Sequence, residues 1–375
     1  MTPTKWALGI LGGAALAAAA LAVVGRRPTL DPEAARRVVA DYARLLHAGY
    51  SESAALAAVL RDEIRVFLEQ PSAAGLEACK AAWLRARPPY LQTEVARFSG
   101  GPIDRSPDGP ETSINAWPLD ESFLESLIDD AARYPTLDEP VLRKSNGAGG
   151  EANITTGWHA IEFLLWGQDL SPGPGGGTRP LTDFVAAANA ARRREYLKVC
   201  ADLLVKDLSW VRDQWAPGRS GNYLAEFLAL PPETALSRLM TGLGTMAVGE
   251  LRGERLSVPF TLKDKEEEHS CFSDSTHLDH LNDAIGIRKV WEAGLRDLAA
   301  RSDRGLADAV GRSIEETIEA LRSPDLNPFD QAILGDDSRP GRKAIQKALD
   351  ALARFNESFT RLATKMGIPV STRLP

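Results

Sequence analysis

The chain is 375 residues long, which suits about two domains at roughly 100–200 residues each. Hydrophobic residues make up 44% and charged residues 25%, an ordinary globular composition that excludes a disordered or fibrous chain. Lys and Arg number 44 against 51 Asp and Glu, a formal net charge of −7 with no Lys/Arg block. Nucleic acid is therefore not an expected partner, and cations suit the chain better than anions.

Residues 1–27 read as a signal peptide or an amino-terminal membrane anchor. Lys5 precedes, and Arg26 and Arg27 follow, an uncharged run from Ala7 to Val24. Small residues before a cut after Ala22 give the layout of an export signal. The length also approaches the roughly 20 residues that span a bilayer. Either reading puts the bulk of the chain outside the cytoplasm, in the periplasm or cell envelope, with membrane association through the amino terminus in the second case. Cys79, Cys200 and Cys271 are too few for a disulfide scaffold or a CxxC site, although an exported chain could bridge one pair.

Beyond the amino terminus the pattern is helical. Asp31-Pro32 supplies an N-cap followed by proline at the first helical position. Ala35, Val38, Val39, Tyr42, Leu45 and Leu46 then recur at spacings of three and four, and the stripe resumes from Leu56 to Leu68 before Pro71. Residues 73–97 predict a helix with a break at Arg87-Pro88-Pro89, and 100–118 read as loop. Helical stretches follow at about 119–133 and 152–166. Ser171 to Pro180 hold four glycines and three prolines, so 171–182 is placed as a linker between a first bundle at 30–170 and a second at 183–370. Helices are predicted from Phe184 to Trp215 and at about 220–229, 232–253, 277–300, 304–321 and 340–366. The only strand candidate is RLSVPFTL at 255–262. The fold class is all-α, two four-helix-bundle-like domains packed together.

The histidines carry the chemistry. His47 sits in a regular amphipathic stretch and reads as an ordinary helix residue. His159 stands three residues before Glu162 in TTGWHAIEFLLWGQD, and residues so spaced share a helix face. An imidazole and a carboxylate there can converge on one cation, or can simply bond to each other. The surrounding segment is so apolar that Glu162 needs a partner. The stretch 263–280 holds three histidines, one thiol and six carboxylates, which suits iron, zinc or manganese rather than Cu(I), or else a solvated surface. Asp274 or Ser275 is placed to cap a helix starting near His277. Glu94 and Arg97 form an i,i+3 pair, read either as a surface ion pair or as part of the His159 pocket.

These segments together resemble the imelysin family of insulin-cleaving membrane proteases, and within it the iron-regulated branch. The matching stretches are AWLRARPPYLQTEVARFSGGPID (82–104), INAWPLDESF (114–123), TTGWHAIEFLLWGQD (155–169), RRREYLKVCADLLVKDL (192–208), GLGTMAVGELRGERL (242–256) and EEEHSCFSDSTHLD (266–279). The family's GxHxxE element is here Gly157, His159 and Glu162. The resemblance implies two four-helix bundles, export, and a link to iron-uptake components of the envelope. It implies metal binding through the HxxE pair, His159 and Glu162. The expectation drawn from the residues is a metal ion, iron first and zinc second, that Glu94 from a neighbouring helix and His269 from the second bundle also ligate, with Arg97, Gly157, Asp274 and His277 lining the pocket. A metallopeptidase is the second reading, and a pocket for an organic ligand or metal chelate the third. Zinc peptidase helices carry HExxH or HxxEH, but Ala160 follows His159 and Phe163 follows Glu162, so the second histidine is missing on both templates. Metal binding is therefore favoured over proteolysis.

Overall fold

The computed structural model describes residues 30–105, 107–171 and 175–375. The apolar run at 7–24 and its export reading lie outside the described residues. Among the described residues every regular element is helical, and no helix is long and apolar enough to cross a membrane.

Helix α1, Pro32–Glu69, opens as its sequence predicts, with the Asp31 carboxylate accepting the Glu33 and Ala34 N–H groups. Helix α2, Ala73–Leu91, runs on through Pro88 and Pro89. The two prolines stand in its last turn, where little helix remains to be broken, and the Gln92 N–H still reaches the Pro88 carbonyl at 3.1 Å. Then come α3 (Gly157–Trp166), α4 (Ala190–Gln214) and α5 (Pro232–Thr245). Helix α5 leads into a π-helical stretch, Met246–Ser257, and a turn of α-helix, Val258–Leu262, so the strand candidate at 255–262 is helical. Helix α6 is Thr276–Val290, and the chain leaves helical geometry at Ala293 and Gly294 before α7, Arg296–Leu321. Inside α7, Asp303 is non-helical and its carboxylate accepts the Leu306 N–H at 3.0 Å, which starts the predicted 304–321 segment. Helix α8, Pro340–Met366, is the last.

Helices α1 to α4 pack on one another as one group, and the π-helical continuation of α5 with α6, α7 and α8 forms the other. The groups meet where α6 lies against α2, and α5 lies against α1. The all-α class holds, but the division of the chain differs from the one read from glycine and proline. Helix α4, assigned to the second bundle, lies along α1 and α3, so the chain stays with the first bundle at least to Gln214. The described end of the 171–182 segment is pinned down instead. The Gly177 N–H donates to the Phe272 carbonyl and the Arg179 N–H to the Trp166 carbonyl, both at 2.8 Å. Such a composition forbids regular structure without forbidding contact.

The seam between the groups is tight. A Cβ on Gly286 of α6 would stand 2.5 Å from the Gln92 carbonyl oxygen just after α2. Gly286→Ala is expected to strain this seam and lower stability by about 1–3 kcal/mol. Urea unfolding measures it, and an unchanged midpoint would show that the seam yields freely.

Candidate functional site

Helix α3 is buried on every side, which its sequence GWHAIEFLLW requires. Its first residue, Gly157, has φ +89°, and a Cβ there would meet the Ile114 carbonyl oxygen at 2.4 Å. Only glycine lets the helix start so close to that strand of chain. His159 and Glu162 are thereby carried inside, at 1% and 0% exposure. Their side chains meet, with His159 Nδ1 2.9 Å from Glu162 Oε2. The other oxygen, Oε1, accepts the Ser273 N–H at 2.9 Å and the Ser273 hydroxyl at 2.7 Å. The loop before α6 is thus fastened to α3 through one carboxylate.

That loop brings in His269. Its ring lies edge-on to His159 with centroids 4.6 Å apart, and Trp117 covers His159 at 5.0 Å. His269 Nδ1 is 2.7 Å from Asp279 Oδ2 on α6, which also accepts from the Ser270 hydroxyl at 2.6 Å and from Arg87 Nη2 at 2.9 Å. The two imidazoles are therefore held in the same way, each by a carboxylate on Nδ1. His159 Nε2 is buried without a hydrogen-bond partner, and His269 Nε2 has a long 3.4 Å approach from Asn115 Nδ2. Burial holds both imidazoles well below the usual histidine range, assisted at each by the other cations nearby, so both are neutral. Burial pushes Glu162 up to about 8 in spite of the Ser273 hydrogen bonds.

Glu94 enters the same network in a different role. Its Oε2 accepts from Arg255 Nη1 at 2.7 Å, and its Oε1 accepts from Asn115 Nδ2 at 2.8 Å with Arg97 Nη1 at 3.5 Å. Burial alone would raise its pKa, but Arg255 and Arg97 together hold it at about 2. Arg255 also donates to Asp283 of α6 at 2.8 Å, and Asn115 accepts from Arg87. Glu94 is thus an ionised partner of guanidinium groups, not a free donor beside His159.

Among the described residues no group of three or more His, Cys, Asp or Glu side chains stands ready to hold a metal ion. The expected four-ligand set is brought into one buried neighbourhood, but both carboxylates are engaged and the two imidazoles stand together. No hydrogen bond joins His277 to either imidazole. Asp274 turns aside, its Oδ2 accepting the Gly176 N–H at 2.9 Å, and with Glu268 it lines a separate cavity of about 10 Å³. Cys79, Cys200 and Cys271 are free thiols. A larger cavity of about 630 Å³ reaches His269 from the protein surface, walled by Arg97, Asn115, Trp117, Glu250 and Arg255.

Sequence reasoning missed Arg87, Asn115, Asp279, Asp283, Arg255 and Ser273. One signal was available for α6. Thr276, Asp279, His280 and Asp283 repeat at three and four and are all buried, so the helix hides a polar stripe.

Such a molecule is a two-bundle, all-α protein with a buried pair of carboxylate-held imidazoles at the seam. A profile of the imelysin family matches residues 46–358, and the chain belongs to that family. It is 25% identical over 256 residues to iron-regulated protein A of Synechococcus elongatus, a match covering 66% of this chain and 61% of that protein. Its fold is similar to the crystal structure of an iron-regulated protein A precursor from Parabacteroides distasonis, with a TM-score of 0.72 at 19% identity, over 92% of this chain and 97% of that one.

Asp274 offers a test of the loop's electrostatics. Burial, with Asp169 and Asp330 close by, pushes its pKa up to about 6 against the pull of the Gly176 N–H. The folded value lies above the ordinary value of about 4, so the ionised form costs stability. That loss sets in as pH rises from about 4 and is complete above about 6. Asn keeps an acceptor and tolerates the left-handed backbone at φ 56°. Asp274→Asn is expected to melt with the wild type near pH 4 and above it beyond pH 6. Superimposable melting temperatures from pH 4 to 8 would refute the account.

Proposed function

We propose that this chain handles a metal cation, iron before zinc, in the cell envelope, and that His159 and His269 are the residues that bond to it. The observation carrying this reading is a buried neutral imidazole, His159, whose Nε2 has no partner while its Nδ1 is held by Glu162 and a second carboxylate-held imidazole lies 4.6 Å away. A buried polar atom left unpaired is costly, and a cation on that nitrogen removes the cost. Imidazoles that bind metals commonly donate their other N–H to a carboxylate, which fixes the ring and makes it a better donor. Burial pushes Glu162 up to about 8, so a cation arriving at His159 Nε2 would release one proton from the pair and leave Glu162 ionised against Nδ1–H. Two imidazoles supply only part of a coordination sphere. The cavity at His269 leaves the remaining positions to water. Nitrogen and oxygen donors without thiolate suit iron and zinc alike. The name of the Synechococcus relative, iron-regulated, tips the reading to iron. The uncharged run at 7–24 with its basic flanks supports export, and with it a place beside envelope iron-uptake components.

Within this reading Glu162 and Asp279 act through the imidazoles, keeping each ring oriented. Ser273 pins Glu162, and Arg87 pins Asp279. Peptide hydrolysis is the weaker reading. A metallopeptidase needs a carboxylate free to take a proton from water, and both oxygens of Glu162 are already engaged.

The purified full chain, loaded anaerobically with Fe²⁺ and passed through a desalting column, is expected to retain about one ion. Glu162→Gln should weaken binding about 10–100-fold, the usual effect of removing such a support. His159→Ala combined with His269→Ala should abolish it with the helical circular-dichroism signal intact. Equal metal content in wild type and double variant, by elemental analysis, would overturn the proposal.

A further inference from the structure

The walls of the cavity at His269 bear on the form in which the cargo arrives, a question that rests on the reading above. Two cations line it, Arg97 and Arg255, and neither is free. Arg97 lies 3.2 Å from Glu111 and 3.5 Å from both Glu94 and Glu250. Arg255 is bonded to Glu94 at 2.7 Å, Asp283 at 2.8 Å and Glu250 at 2.9 Å. Arg255 is bonded to carboxylates through both terminal nitrogens, and Arg97 sits among three carboxylates although its Nε has no partner, so an anion approaching either guanidinium meets carboxylate charge beside it. No lysine lines the cavity.

The acidic groups are in excess. Glu151, Glu254 and Glu267 also line the cavity, are exposed, and take part in no ion pair among the described residues. Beyond the self-neutralised arginines, the approach to His269 thus carries three unbalanced negative charges. A cleft lined by one sign of charge concentrates ions of the other sign and speeds their arrival, by a factor of 10 to 10³ in favourable cases. It opposes anions for the same reason. Size does not discriminate: an ion with six waters needs roughly 200 Å³, at about 30 Å³ per water, and a chelate would also fit within about 630 Å³. Charge does.

We propose that the cavity is an entry route for an aquated divalent cation, steered by Glu151, Glu254 and Glu267, and that it rejects anionic chelates such as metal–citrate complexes. The three glutamates act at a distance from the imidazole pair, as specificity residues for the incoming species. Arg97, expected from the sequence to line the pocket, stands in the wall among Glu94, Glu111 and Glu250.

Stopped-flow mixing of the full chain with Fe²⁺ under anaerobic conditions tests this, at low and high salt, for wild type and for the triple variant Glu151→Gln, Glu254→Gln, Glu267→Gln. All three positions are exposed, so the variant retains the core. The wild type is expected to associate about ten-fold faster than the variant at low salt, with the difference vanishing at high salt. Dissociation rates should agree, and ferric citrate should neither bind nor compete. Equal association rates at low salt, or tight uptake of intact ferric citrate by the wild type, would overturn the proposal while leaving the imidazole site standing. No Fe²⁺ uptake by folded wild type would refute the imidazole site and this proposal with it.

Discussion

Two buried guanidinium groups hold the seam on which the site depends. Arg87 reaches from α2 to Asp279 of α6, and Arg255 joins Glu94, just after α2 in the chain, to Asp283 of α6. All of these side chains are nearly or fully buried. Burying such charges is expensive, and well-packed apolar residues would often stabilise a seam as well. What the ion pairs add is register. A guanidinium must meet its carboxylates within hydrogen-bond distance or leave a buried charge unpaired, so the two bundles can dock in few ways. His159 belongs to one bundle and His269 to the loop entering the other, and their approach to 4.6 Å is a consequence of that docking.

The local features of the chain were legible because short-range chemistry writes them. The Asp31 cap, the amphipathic stripe of α1 and the wholly apolar α3 follow from residues within a turn or two of each other. The His159–Glu162 pair was legible for the same reason, since i,i+3 spacing fixes it on a helix. Its partners were not. Ser273 lies 111 residues from Glu162, and Arg87 lies 192 from Asp279. Nothing in local periodicity selects such pairings. The domain boundary went astray in a related way: glycine and proline at 171–182 report the backbone's need for irregular geometry, whereas bundle membership is decided by which apolar faces meet. For α4 the face that decides is the one against α1.

The long-range contacts also change what the carboxylates do. Read along the sequence, Glu94 and Glu162 are oxygen donors free to meet a cation. In the fold, each is spoken for. Glu94 is kept ionised by arginines, which the low pKa reflects, and its charge neutralises them in turn. Glu162 is in the opposite electrostatic state, raised by burial with no guanidinium bonded to it. Two glutamates close in space thus have unlike roles because one lies beside cations and the other beside a neutral imidazole and a serine.

The imidazole pair draws its donors from both sides of the seam. A cation bonded to His159 and His269 at once would be tied to both bundles, and its binding energy would add to the docking of one on the other. The hydrogen-bonded supports would make that sharing cheap. Each ring is fixed through Nδ1 before any ion arrives, and each supporting carboxylate is itself fixed, one by the Ser273 loop and one by Arg87. Little side-chain freedom remains to be lost on binding. On the proposed reading, the reorganisation left would be that of the ion's own water, for which the cavity at His269 has room.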